Sequence, residues 1–262
     1  MGNRSDLILF LIIVTLVSIF WGRINRIGYN KVITSIVRFI MKYSKMNAEM
    51  IRAYLVWSIY MLVGLVAAVG LLSTYQVNLL RYLALDPAYF VLIPLAFIAQ
   101  NSLTGLMMDL LILAKPTMDV FLELTSIPWV RYTLMMPGAM RVISPLGAAI
   151  FEEVFFRGTV FLILINKFPQ IGTLLPILVC TVLFVVQQML QTDTLGQRLI
   201  MLVGSTSISF VGCIVTLYTR SFLPTVLCHA AYALFYLQLG ASMPRINPKG
   251  QRSKRSSVYP DF

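Results

Sequence analysis

Apolar residues in this chain gather in long blocks separated by short polar stretches that hold most of the charge. The first block runs from Leu7 to Trp21, and further blocks fall near 53–73, 89–114, 144–165, 171–190, 199–218 and 222–239. Each approaches the roughly 20 residues that a helix needs to cross a hydrocarbon core. The pattern predicts an all-α, polytopic integral membrane helix bundle of about seven transmembrane spans. No small-residue cleavage site precedes Gly22-Arg23, so the first block reads as a retained anchor. From Tyr29 to Met46 the pattern changes. Lys31, Arg38, Lys42 and Lys45 fall within roughly 60° of one another at 100° per residue, opposite Val32, Ile33, Ile36, Val37, Phe39 and Ile40. This predicts a basic amphipathic helix on the membrane surface. Residues 116–138 mix Asp119, Glu123, Trp129 and Arg131 with apolar positions, which leaves an interfacial and a re-entrant segment both open. From Pro244 onward the chain is rich in Pro, Ser and Arg without apolar periodicity, and a disordered tail is predicted.

Composition removes the soluble alternative. Of the 262 residues 58% are hydrophobic and 12% charged, and mean hydropathy is +0.83, whereas soluble domains average about 45–50% apolar and about 25% charged. A formal charge of +11, from 21 Lys and Arg against 10 Asp and Glu, would point to nucleic acid in a soluble domain. Its placement points to a membrane. Seven basic residues fall between Arg23 and Arg52 and five between Arg245 and Arg255, flanking apolar blocks as the positive-inside rule expects. Separated by about six crossings, the 22–52 loop and the C-terminal tail are both expected in the cytoplasm, in contact with anionic lipids, with the N-terminus outside. No nucleic-acid partner is expected, and oligomeric state is not readable. Cys180, Cys213 and Cys228 lie inside apolar runs without CxxC spacing and read as packing residues.

Candidate chemistry concentrates at Glu152, Glu153 and Arg157, three ionisable residues within one apolar span. Each unpaired charge costs on the order of 2.5–3.5 kcal/mol at a helix centre. Glu153 and Arg157, four apart and acid first, can pair along one face. Glu152, rotated by about 100°, is left for another partner. In a partly dry site such a carboxylate can act as general base toward water; the same charges can equally be a structural triad locking helices together. His229, the one histidine of the chain, also lies in an apolar span, with Tyr232 and Tyr236 on its helical face. Gln187 and Gln188 close the span that contains Phe184. One His and two adjacent Glu are too few for a zinc site, and HExxH, GxSxG and phosphate-loop patterns are absent from the chain. No metal and no cofactor is called for.

The EExxxRG run at Glu152–Gly158, Phe184 followed four residues later by Gln188, and the TRSFLPTVLCH segment ending at His229 resemble the CAAX prenyl protease and bacteriocin-processing family of intramembrane glutamic endopeptidases, also called the Abi family. The resemblance covers roughly 136–239 and includes the block from Phe210-Val211-Gly212 to His229. It implies that Glu152 activates water, that Glu153, Arg157 and Phe184 support it, and that His229 is the histidine of the third motif. Two positions depart from the family pattern. Gln188 stands where the family has His, and Ala233 where it has Asn for oxyanion contacts. Gln188 can still hold a water, though it cannot take a proton, and Tyr232 or Tyr236 is left to replace the missing donor. The chain then divides into an anchor with interfacial helix (1–52), accessory spans (53–135), a family-like core (136–240) and the tail (241–262).

The expected function is metal-independent hydrolysis of a peptide bond near the membrane surface, in a membrane-anchored or lipidated peptide. The alternative is a non-catalytic scaffold, immunity or partner-binding protein that keeps the fold; a transporter, suggested by Gln100, Asn101 and Asp109, is the third reading. Convergence of Glu152, Gln188 and His229 on one water-sized space favours hydrolysis. A helix starting at Ser144-Pro145 puts Glu152 about 12 Å from the cytoplasmic end, against nearer 20 Å for His229, a mismatch for the tertiary structure to resolve.

Overall fold

The computed structural model describes residues 3–84 and 86–242. The chain opens with α1 (Arg4–Gly22), a short α2 (Ile24–Ile27) and α3 (Lys31–Met41), followed by α4 (Ala48–Thr74) and α5 (Tyr89–Ala114). Two short helices, α6 (Val120–Ser126) and α7 (Pro128–Met135), lead to α8 (Met140–Phe155), which continues through a π-helical turn, Phe156–Phe161, into α9 (Leu162–Lys167). Then come α10 (Leu174–Met189), α11 (Leu195–Thr219) and α12 (Leu223–Ser242). No strand occurs among the described residues. Helices therefore stand at all seven expected block positions. By length and composition α1, α4, α5 from Val91, and α11 suffice to cross a membrane, while α10 is shorter.

Polar breaks in the apolar pattern act as caps. Asn30, Asn47 and Asp119 accept from Ile33, Met50 and Leu122 backbone N–H groups at 2.8, 2.8 and 3.0 Å, each cap contributing about 1 kcal/mol. Thr194 and Gln197 form a reciprocal capping box at the start of α11. The interfacial helix is shorter than expected: it ends at Met41, with Ile33 and Val37 packed on Ile51 of α4. Its basic residues Lys31 and Arg38 stay exposed beside exposed Val32 and Phe39.

The mixed 116–138 stretch folds as α6 and α7 across one end of the bundle. Ile127 and Val130 pack with Leu237 of α12, and Tyr132 and Met136 with Ala53 of α4. The next helix starts four residues before the expected Ser144, at Met140. Pro145 consequently lies inside α8 rather than in its first turn, where it forfeits one backbone bond, to Arg141. The tail expected from 241 onward lies, beyond Ser242, outside the described residues.

The main core is aromatic. Trp21 is fully buried, lies 5.3 Å from the Phe155 ring and 5.8 Å from a stacked Phe156, and donates through Nε1 to the Tyr60 carbonyl at 2.9 Å. Phe156 in turn meets Phe184 edge-on at 5.1 Å. Two glycines let this cluster close. A Cβ on Gly64 would lie 2.5 Å from the Trp21 ring, and one on Gly22 2.5 Å from the Gln187 carbonyl of α10. Backbone cannot yield as a side chain can. Gly22→Ala is therefore expected to push α1 off α10 at a cost of about 1–3 kcal/mol, read as a lower Tm of the detergent-solubilised protein. Gly70→Ala, where a Cβ meets nothing within 4 Å, is expected to leave Tm unchanged or raised.

Candidate active site

Glu152 and Glu153 end the regular part of α8, just before the π turn that carries Arg157. Single π turns are frequent at functional sites because they re-aim the residues beside them. Here the wide turn is stitched by Thr159, whose hydroxyl donates to the Val154 carbonyl at 2.9 Å, five residues back. Glu153 and Arg157 have no exposed side-chain surface and pair at 3.2 Å, in the order expected along one face. The Arg157 guanidinium also lies 4.7 Å over the Phe184 ring. Gly212 of α11 makes room for it, since a Cβ there would stand 3.2 Å from Arg157 Nε.

His229, on α12, sits between the two glutamates. Its Nδ1 is 2.9 Å from Glu153 Oε1. A carboxylate only accepts, so Nδ1 donates, and in a neutral imidazole the lone pair is then on Nε2. Nε2 faces Glu152 Oε2 at 3.6 Å, too far for a direct hydrogen bond. Phe184 makes a T-shaped contact with the imidazole at 5.7 Å, so one ring touches both the Arg157 cation and His229. The mismatch in depth disappears with the helix boundaries. From the start of α8 to Glu152, and from His229 to the end of α12, the chain climbs about 18 and about 20 Å at 1.5 Å per residue.

Gln188 also converges on the centre, but on the carboxylate itself: its Nε2 donates to Glu152 Oε1 at 2.8 Å. An amide N–H finds a stronger partner in an anion than in a neutral water. Tyr232 and Tyr236 both line the space in front of His229. Thr104 spends its proton on the Gln100 carbonyl, so the 2.9 Å contact between Thr104 and Tyr232 takes the Tyr232 proton. Sequence reasoning passed over Tyr60 of α4. Its hydroxyl donates to Glu152 Oε1 and accepts from Gln187 Nε2 at 2.6 Å and Gln191 Nε2 at 3.3 Å. A signal was present, because a phenol and two glutamines in apolar spans, with a third just beyond, each need a partner there.

Glu152, Gln188, His229 and Ala233 border a cavity of about 370 Å³, within the range of small-molecule and peptide pockets. The rest of its wall is largely apolar, with Trp57, Met108, Trp129 and Ile208 among the contributors. α6 and α7 cover one side through Phe121, Leu124, Trp129 and Tyr132. The described residues contain no group of three or more His, Cys, Asp and Glu arranged to hold a metal ion.

Fold and centre together define a helical membrane protein with a paired-glutamate and histidine site inside its bundle. Residues 135–235 match the family described as type II CAAX prenyl endopeptidase, Rce1-like, which places this stretch, under half of the chain, in the CAAX prenyl protease and bacteriocin-processing family. The family that this stretch matches is, by that description, one of CAAX protease-type endopeptidases. No curated protein and no solved structure matches the chain.

The buried pair generates a prediction. Arg157→Ala leaves Glu153 ionised with one partner fewer and is expected to cost about 3–5 kcal/mol, seen as loss of monodisperse protein on size-exclusion chromatography. Replacing both charges, as Glu153→Gln with Arg157→Met, is expected to recover most of that yield.

Proposed function

We propose that this protein is an endopeptidase that hydrolyses a peptide bond in a membrane-associated, lipidated substrate, with Glu152 as general base toward water. The observation that carries the reading is the 3.6 Å gap between Glu152 Oε2 and His229 Nε2, on the wall of the cavity. Two acceptors at that separation, one anionic and one with a lone pair, suit a water that donates a proton to each. Glu152 Oε2 takes one proton as the water oxygen attacks the scissile carbonyl carbon, and the carbonyl oxygen becomes an oxyanion. As the C–N bond breaks, that proton passes to the leaving nitrogen, and a carboxylic acid and an amine result. His229 orients the water and, held by Glu153 at Nδ1, can carry a positive charge in passing. Glu153 and Arg157 thus support the imidazole rather than the water.

The apolar wall favours a substrate with a long hydrocarbon group or apolar side chains over a polar peptide. Its approach is read from the membrane surface. Tyr132, on the cavity wall, donates to Tyr29 at the foot of α3, so the basic, apolar-faced helix adjoins the mouth. In this reading Lys31, Arg38, Lys42 and Lys45 rest on anionic lipid at the cytoplasmic face, and the accessory spans and the family-like core act as one enzyme. The non-catalytic reading draws on Ala233, which borders the cavity and offers no oxyanion donor.

Single-turnover cleavage of a lipidated, membrane-anchored peptide by the purified protein in vesicles tests both. Glu152→Gln keeps the shape and removes the base; no cleavage is expected, at unchanged Tm, and full activity in this variant would sink the glutamate mechanism. Ala233→Asn restores a donor of the family pattern. It is expected to raise the rate, by up to about 100-fold, and an unchanged rate would mean that another group already serves the oxyanion.

A further inference from the structure

Tyr60 reaches the centre from α4, outside the stretch that matches the family. Its oxygen accepts from Gln187 and Gln191, at 2.6 and 3.3 Å. Both neighbours are donors, which commits the one phenolic proton to Glu152 Oε1. Gln188 donates to the same oxygen at 2.8 Å. Oε1 thus carries two donors, which occupy its two lone pairs, while Oε2 faces His229 across the open gap.

We propose that Tyr60 is a positioning residue which, together with Gln188, locks the Glu152 carboxylate so that Oε2 alone takes the proton of the attacking water. The inference rests on the reading of Glu152 as general base. A glutamate's last torsion is broad and close to two-fold, so an unanchored carboxylate presents either oxygen. Two donors on Oε1 break that symmetry. The phenol is itself held in place: its ring lies 5.0 Å from that of Trp21, whose Nε1 donates to the Tyr60 carbonyl at 2.9 Å. The donor set extends over two elements, with Tyr60 on α4 and Gln187 and Gln188 on α10, while Trp21 buttresses it from α1. In this chain, then, the glutamine at 188 acts on the base and not on the water, and the N-terminal spans complete the site.

Tyr60→Phe removes the hydroxyl and keeps the ring that packs on Trp21. In the full chain, with the lipidated peptide as probe, kcat is expected to fall about 10- to 100-fold while KM stays within about twofold and Tm holds. Gln188→Met is expected to behave alike. Because both donors act on one oxygen, the double variant is expected to lose less than the product of the two single losses. Unchanged kcat in Tyr60→Phe, a change confined to KM, or losses that multiply would each overturn the proposal. Should Tyr60→Phe lower the folded yield, Gln188→Met, which removes the second donor to Oε1 and leaves the phenol in place, carries the test alone. A fall in kcat then supports the proposal, and an unchanged kcat overturns it. Glu152→Gln, assayed beside them, separates the two failures. If it stays active the general-base reading falls and this one with it; if it is inactive while Tyr60→Phe is fully active, only the role of Tyr60 falls.

Discussion

The contact on which the centre depends is the pairing of Glu153, a carboxylate with no exposed surface, to Arg157 on its own helix and His229 on another. Charges inside a bilayer are tolerated when they find each other, and this one finds two partners. Because Nδ1 donates to Glu153, a neutral imidazole presents its lone pair, not a proton, to Glu152. Glu153 thereby selects the tautomer of a neutral imidazole as well as making a helix contact. Arg157 can reach its place because the helix widens to a π turn at that point and because Gly212 opposite has no side chain.

Around that pair the bundle is organised by aromatic packing. Trp21, Phe156, Phe184 and His229 form an unbroken chain of ring contacts from α1 to α12, crossing the π turn and α10 on the way. Rings suit this task in a membrane, where water gives no drive for apolar groups to associate and contact area with defined geometry must supply it. Close approach is equally needed, and Gly22 and Gly64 provide it where α1 meets α10 and α4. The N-terminal helices are thus packed into the same core as the segment that matches the family.

Access follows from the position of α6 and α7. They lie over the end of the bundle at which α4, α8 and α11 begin and α12 finishes, and they supply part of the cavity wall. Trp129 and Tyr132, both on this cover, border the same cavity as Glu152. The Tyr132 and Tyr29 hydroxyls link this cover to the foot of α3.

The sequence by itself determined where the helices stand, because block length against bilayer thickness is a one-dimensional constraint. It also determined that Glu153 and Arg157 pair, since a spacing of four residues is geometry within one helix. The family was legible in EExxxRG and in the segment before His229 for the same reason: motifs are local. What lay between helices was not. That His229 stands between the two glutamates, that Gln188 donates to Glu152, and that Tyr60 joins them across more than ninety positions of chain depend on how α4, α8, α10 and α12 pack. A tyrosine in an apolar span looks the same in sequence whether its hydroxyl meets a carboxylate or a carbonyl. Small shifts mattered as well. Starting α8 at Met140 instead of Ser144 moved Glu152 about 6 Å deeper at 1.5 Å per residue, to the level of His229. Helix ends are settled by the contacts of the whole bundle, and here those contacts decided whether two residues could share a site.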